Sequence, residues 1–163
     1  MAQARSEPFY RQHGVPDTVH GRFEMIVLHV ALVLSRLELE GPDGQPTGRA
    51  MLEAFVADMD DACRRLGIGD MGVPRHVKKA TAAVLERGNA YRTAIAGSSE
   101  APDGDALAAA LAAEVWRSDP AKAPGAPALA DYVRRAVAWL EVQDGAGLAD
   151  GKVSFPSAAQ EGS

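Results

Sequence analysis

Apolar residues recur at helical spacing along most of this chain. Phe23, Ile26, Val30, Val33 and Leu37 fall at intervals of three and four, the period of one helix face, and Val27, Leu28 and Leu34 widen it. Asp17 or Thr18 stands where such a helix needs a cap, and EGPDGQPTG (40 to 48), rich in Gly and Pro, reads as the loop that stops it. A second helix is predicted from about Thr47 to Leu66, with Leu52, Phe55, Val56, Met59, Cys63 and Leu66 on one face and Gly67 just past its end. Pro74 suits the start of a third, which carries Val77, Val84, Tyr91 and Ile95 and ends at Gly97. Asp105 can cap a short Ala-rich helix through Trp116, and a fifth bears Leu129, Tyr132, Val133, Ala136 and Leu140. The intervening stretches 98–105 and 119–127 read as linkers.

The expectation is therefore an all-α fold: one domain over residues 1–143, built from about five main helices, followed by a loose, polar, Gly-rich tail over 144–163 in which KVSF (152 to 155) packs locally. Residues 1–16 read as an extended lead-in with a helical turn around Phe9 and Tyr10. The expected core is Phe23, Ile26, Val30, Val33, Phe55, Met59, Val84 and Tyr91.

Composition narrows the function. The chain is 163 residues with a net charge of -5, which argues against a constitutive DNA or RNA binder. A single cysteine, Cys63, excludes an internal disulfide framework and any multi-cysteine metal site, and its place on an apolar face predicts a buried structural thiol. The first twenty residues lack an apolar signal core, and the longest apolar run, MIVLHVALVL, is interrupted by His29, so a soluble chain is expected.

No motif assembles into a catalytic set. Gly67, Gly69 and Gly72 spell GxGxxG, but a dinucleotide site needs a strand before the glycines, and here a helix precedes them. The four histidines fall outside metal-protease and haem-attachment patterns, and no serine sits in a nucleophile elbow. His20, Glu24 and Asp17 share a helix face, a spacing that suits surface hydrogen bonds as well as a metal. No cofactor and no metal are expected.

Charge patterning says more. Glu38, Glu40, Asp43, Glu53, Asp58, Asp60 and Asp61 face only Arg49 across residues 38–61. Residues 64–79 reverse the sign with Arg64, Arg65, Arg75, Lys78 and Lys79 against Asp70. Arg75, Lys78 and Lys79 crowd the start of a helix, where the macrodipole disfavours cations, which points to an anionic partner unless they are simply a solvated face. Arg22, His29 and Arg36 recur every seven residues beside the apolar stripe and either edge a groove or form its solvent border. These six are the candidate partner-binding residues.

At GVPDT (14 to 18) and GRFEMIVLH (21 to 29) the chain resembles the ubiquinol-cytochrome c chaperone family. LGIGDMGVPRHVKK (66 to 79) resembles that family's second signature, a glycine-rich turn followed by a basic helix start, and ADMDDACRR (57 to 65) resembles the segment leading into it. The resemblance implies an α-helical, non-enzymatic chaperone without a cofactor. Its implied client is newly made cytochrome b on its way into respiratory complex III. Implied further contacts are the ribosome and a small co-assembly factor, and the implied location is the cytoplasm; the basic helix start adds the inner-membrane surface as an anionic partner, to which the chain would be peripheral. Taken without the resemblance, the residues fit a generic helical adaptor unrelated to complex III, or a small helical metal-dependent enzyme using His20 and His29.

Overall fold

A computed structural model describes residues 2–97, 105–117 and 123–159. Seven helices occupy these residues: α1 (Glu7–Arg11), α2 (Val19–Leu39), α3 (Gln45–Arg65), α4 (Val73–Gly97), α5 (Ala106–Val115), α6 (Ala126–Glu141) and α7 (Gly145–Ala149). Two short 3-10 turns, Gln3–Arg5 and Gly41–Asp43, complete them, and no strand occurs among the described residues. The all-α expectation holds, with α2 to α6 as the main helices. Of the expected linkers, residues 98–104 and 119–122 lie outside the described residues, and α6 already begins at Ala126, inside the expected 119–127 break.

The widened stripe of α2 has a direct structural meaning. Every residue from Glu24 to Val33 is buried, so this segment is enclosed on all sides. It is the axis on which α3, α4, α5, α6, α7 and the first 3-10 turn all pack. Its start is fixed twice. Thr18 Oγ1 accepts from the Gly21 amide at 3.1 Å, a cap worth about 1 kcal/mol. Gly21 itself admits no larger residue, because a Cβ there would lie 2.0 Å from the Pro16 carbonyl oxygen. The glycine in GRFEMIVLH is thus set by the tight return of the GVPDT turn onto α2.

Of the expected core, Ile26, Val30, Val33, Phe55, Val84 and Tyr91 are buried, while Phe23 and Met59 are half-buried against it. Other expectations need correction. The stretch 40–48 is not all loop: α3 already begins at Gln45, since Pro46 in the first turn has no amide that the helix would miss. The apolar face of α3 is mostly open. Phe55 alone is buried, Cys63 is half-buried rather than enclosed, and Leu66 stands in solvent, because only α4 runs along the distal half of this helix.

The expected local packing of KVSF is present and extends beyond it. Val153 and Phe155 pack against the core and Ala158 is buried. Gln143 holds Ser154 on both sides, donating to its carbonyl at 3.0 Å and accepting from its amide at 2.9 Å. His13 Nε2 lies 2.8 Å from the Ala158 carbonyl oxygen. Residues 151–159 form a strap over the α2–α6 face, held near its start by Gln143 just past the end of α6 and at its far end by Gln3 and His13 of the amino-terminal segment.

Candidate functional site

His29, expected at the edge of a groove, lies inside the molecule at 5% exposure. The hydrogen-bond chain around it has a single consistent direction. Gln3 donates its amide to the Pro156 carbonyl at 3.0 Å and to the Tyr132 hydroxyl oxygen at 3.2 Å. The Tyr132 O–H is then directed to His29 Nε2 at 2.9 Å, leaving Nδ1 to donate to the Met25 carbonyl at 2.7 Å. Phe9 and Phe155 meet the imidazole edge-on, with centroids 5.5 and 4.9 Å away. Burial pushes the imidazole down to about 4, so His29 is neutral, and burial likewise pushes Tyr132 up to about 12. This cluster ties the amino-terminal turn, α2, α6 and the strap together. It is structural chemistry.

A second buried polar group sits one turn earlier on α2. Glu24, 1% exposed, accepts from Arg87 of α4 at 2.8 and 3.1 Å, and Arg87 also meets Glu114 of α5 at 2.6 Å. Burial works against the Arg87 charge, but the Glu24 hydrogen bond and the charges of Glu24 and Glu114 outweigh it and hold the guanidinium above its ordinary range. His20 Nε2 donates to the Glu114 carbonyl at 2.9 Å, while its Nδ1 stays 3.9 Å from Glu24. No group of three or more His, Cys, Asp or Glu side chains able to hold a metal occurs among the described residues.

The surface offers two kinds of feature. The first is a cleft of about 290 Å3 where the carboxyl-terminal halves of α2, α4 and α6 meet. Ala31, Leu32, Leu39, Gly88, Tyr91, Ile95, Val137 and Leu140 form its apolar walls. Four of its rim charges are paired, and Glu141 adds an exposed carboxylate at the edge. Arg36 pairs with Glu40 and donates to the Leu140 and Gln143 carbonyls at 2.9 and 3.2 Å, and Arg92 pairs with Glu38. An apolar segment fits such a cleft better than an anion does. A second cleft of about 400 Å3, backed by His29 and walled by Phe55, Met51 and Phe155, opens between α2, α3 and the strap.

The second feature is the tip of the α3–α4 hairpin. α3 ends in a Schellman motif: the Ile68 amide donates to the Cys63 carbonyl at 3.1 Å and the Gly67 amide to that of Arg64 at 3.0 Å. Gly67 turns the chain at φ +75°, a backbone region in which residues with a Cβ are strained. Beyond it Met71 is 98% exposed, and Leu66 before it is 66% exposed.

Of the sequence candidates, Arg75, Lys78 and Lys79 lie together at this tip, exposed, whereas Arg22 is exposed elsewhere and bound to Asp17 at 2.6 Å. Arg36 sits at the apolar cleft. Arg92, Glu38, Leu66 and Met71 were not singled out as site residues. Leu66 and Met71 do flank the glycine turn, but apolar residues there read equally well as core.

Comparison with known proteins agrees on one group. The family model described as ubiquinol-cytochrome C chaperone matches residues 11–155. Ubiquinol-cytochrome-c reductase complex assembly factor 1 of Xenopus laevis is 27% identical over 87% of this chain and 68% of its own length. The Mus musculus protein of that name is 29% identical over 87% of this chain and 46% of its own. The crystal structure of the Cbp3 homolog from Brucella abortus superposes with a TM-score of 0.82 at 37% identity, covering 96% of this chain and 84% of that one.

Proposed function

The chain belongs to the ubiquinol-cytochrome c chaperone family, and from that premise we propose that it is a non-enzymatic assembly factor that holds newly made cytochrome b during its maturation into respiratory complex III. The observation that carries this reading is the family match over residues 11–155, reinforced by two relatives whose names assign them to assembly of the same complex. The physical support is the apolar cleft between α2, α4 and α6. A membrane-protein client exposes apolar helices before it is assembled, and each large apolar side chain withdrawn from water contributes about 1.5–3 kcal/mol. Both rim arginines are already paired, so such a segment enters without stranding either cation.

In this reading Arg36 frames the client cleft, and His29 has a structural role, holding α2 to α6 and the strap. Arg22, Arg75, Lys78 and Lys79 are outward contacts for the ribosome, the inner-membrane surface or a small co-assembly factor. The protein works in the cytoplasm, peripheral to the inner membrane. No helix among the described residues is long and apolar enough to cross a membrane.

The test is a deletion strain together with capture of the tagged protein from membranes during active translation. The expected result is loss of assembled haem-b absorbance and complex III activity with the cytochrome b transcript retained, and recovery of cytochrome b with the tagged protein. Normal haem-b spectra in the deletion strain would overturn the reading.

A further inference from the structure

The α3–α4 hairpin reaches away from the α2 core. Between residues 56 and 79 only Val73 is buried, so the distal part of the hairpin packs essentially on itself. At its end two large apolar side chains, Leu66 and Met71, face water on either side of a turn fixed by the Schellman motif. The charges around them are sorted. Arg64 is held by Asp60 and Asp70 at 2.7 and 2.5 Å, and Arg65 lies 3.7 Å from Asp61, so the acidic groups near the tip are already engaged. Arg75, Lys78 and Lys79 have no ion pair among the described residues. At 100° per residue they share one face of α4, opposite the inward-facing Val73, Val77, Ala80 and Val84. The next acidic residue on that face is Glu86, two turns farther from the tip.

We infer that this tip is a docking element for an anionic bilayer: Met71 and Leu66 enter the headgroup and upper acyl region while Arg75, Lys78 and Lys79 lie over the lipid phosphates. Each feature matches what an interfacial anchor needs, apolar side chains for the acyl boundary and cations one step behind them. The net charge of -5 turns the rest of the chain away from such a surface, so the tip is the part that meets it. RNA fits less well, because single-stranded bases call for aromatic platforms, and residues 60–79 contain no Phe, Tyr or Trp. The inference rests on the peripheral-membrane part of the reading above and is independent of the client.

The test is flotation of the purified chain with vesicles of phosphatidylcholine alone or mixed with phosphatidylglycerol, in which no client is present. The parent is expected to float only with the anionic vesicles and to be released by salt. Replacing Arg75, Lys78 and Lys79 together by Gln is expected to weaken binding on the order of a hundredfold, and Met71→Ser by about tenfold. These side chains are exposed, and Leu66→Ser serves as a second probe of the apolar contact; circular dichroism checks that each variant is folded. A parent that does not bind anionic vesicles, or Met71→Ser and Leu66→Ser variants that float like the parent, would overturn the inference. So would a triple variant that loses ribosome co-sedimentation while vesicle binding is unchanged, since the cations would then serve RNA.

Discussion

Acid should loosen this protein through one residue. His29 is neutral in the folded state, with a pKa pushed down to about 4 by burial, and the same imidazole in the unfolded chain titrates near 6.5. Between these values the unfolded chain binds a proton that the folded one refuses, so stability rises with pH through this window and is lost as pH falls from about 6.5 toward about 4. The full difference amounts to about 3 kcal/mol, a large share of the stability of a small domain. The geometry explains why the proton is refused. Nε2 receives the Tyr132 O–H, and a protonated ring would need that hydroxyl to turn away although Gln3 already donates to its oxygen. Reversal would also disturb the strap through Pro156, the other acceptor of the Gln3 amide.

Urea denaturation followed by circular dichroism from about pH 8 to about pH 4 measures this directly. The midpoint is expected to hold steady at the upper end and to fall below about pH 6.5. His29→Gln keeps an acceptor for Tyr132 and a donor for Met25 but cannot titrate, so its stability should be nearly flat over the same range. Asp17 and Asp105 do not interfere. Both are held below the ordinary carboxylate range, chiefly by hydrogen bonds from Arg22 and Arg134, so their stabilisation is lost only at lower pH. A parent with unchanged stability across the window, or a Gln variant with the parent's slope, would refute the reasoning.

Three further outcomes follow from other parts of the fold. Arg87→Ala strands the buried Glu24 carboxylate and should cost about 3–5 kcal/mol in denaturant unfolding, whereas the double variant Arg87→Met with Glu24→Leu should be markedly closer to the parent. Gly67→Ala forces a Cβ into the left-handed region and should lower stability by about 1–2 kcal/mol, read as a lower Tm. Leu39→Asp, at an exposed wall of the apolar cleft, should leave stability within about 0.5 kcal/mol yet reduce recovery of cytochrome b in the capture experiment; undiminished recovery would remove the cleft from the client reading.

The helices were legible because each repeats its apolar residues at 3.6-residue spacing, a local signal, and the caps at Thr18 and Asp105 were legible for the same reason. What escaped depends on residues distant in sequence. His29 sits in register with Arg22 and Arg36 and reads as a border residue. Only Tyr132, 103 positions away, and Phe155 on the strap make it interior. The Glu24–Arg87 pair spans 63 positions and leaves no mark in either local pattern. α3 shows the opposite error. Its apolar face is regular to the end, but periodicity states which side is apolar and not whether a partner covers it, so the exposure of Leu66 could not be read. The three cations at the tip were legible as a group, because their spacing along one helix is local.

The two surfaces assigned to partners are carried by one element, and that constrains how they act together. α4 runs uninterrupted from Val73 to Gly97, with the tip cations at its start and Gly88, Tyr91, Arg92 and Ile95 of the apolar cleft toward its end. From Arg75 to Arg92 the rise along the helix is about 25 Å. A tip anchored in the headgroups with α4 upright therefore holds the cleft about that far above the bilayer, outside the membrane and within reach of a segment emerging beside it. Coupling then needs no moving part, because the burial of Val84 and Tyr91 against α2 fixes α4 to the rest of the fold. A fluorophore placed at residue 96, on an exposed position near the end of α4, should escape quenching by a quencher carried on the lipids, while one at residue 71 should be quenched strongly. Equal quenching at the two positions would mean that the chain lies flat on the membrane, and α4 would then not hold the cleft clear of the bilayer.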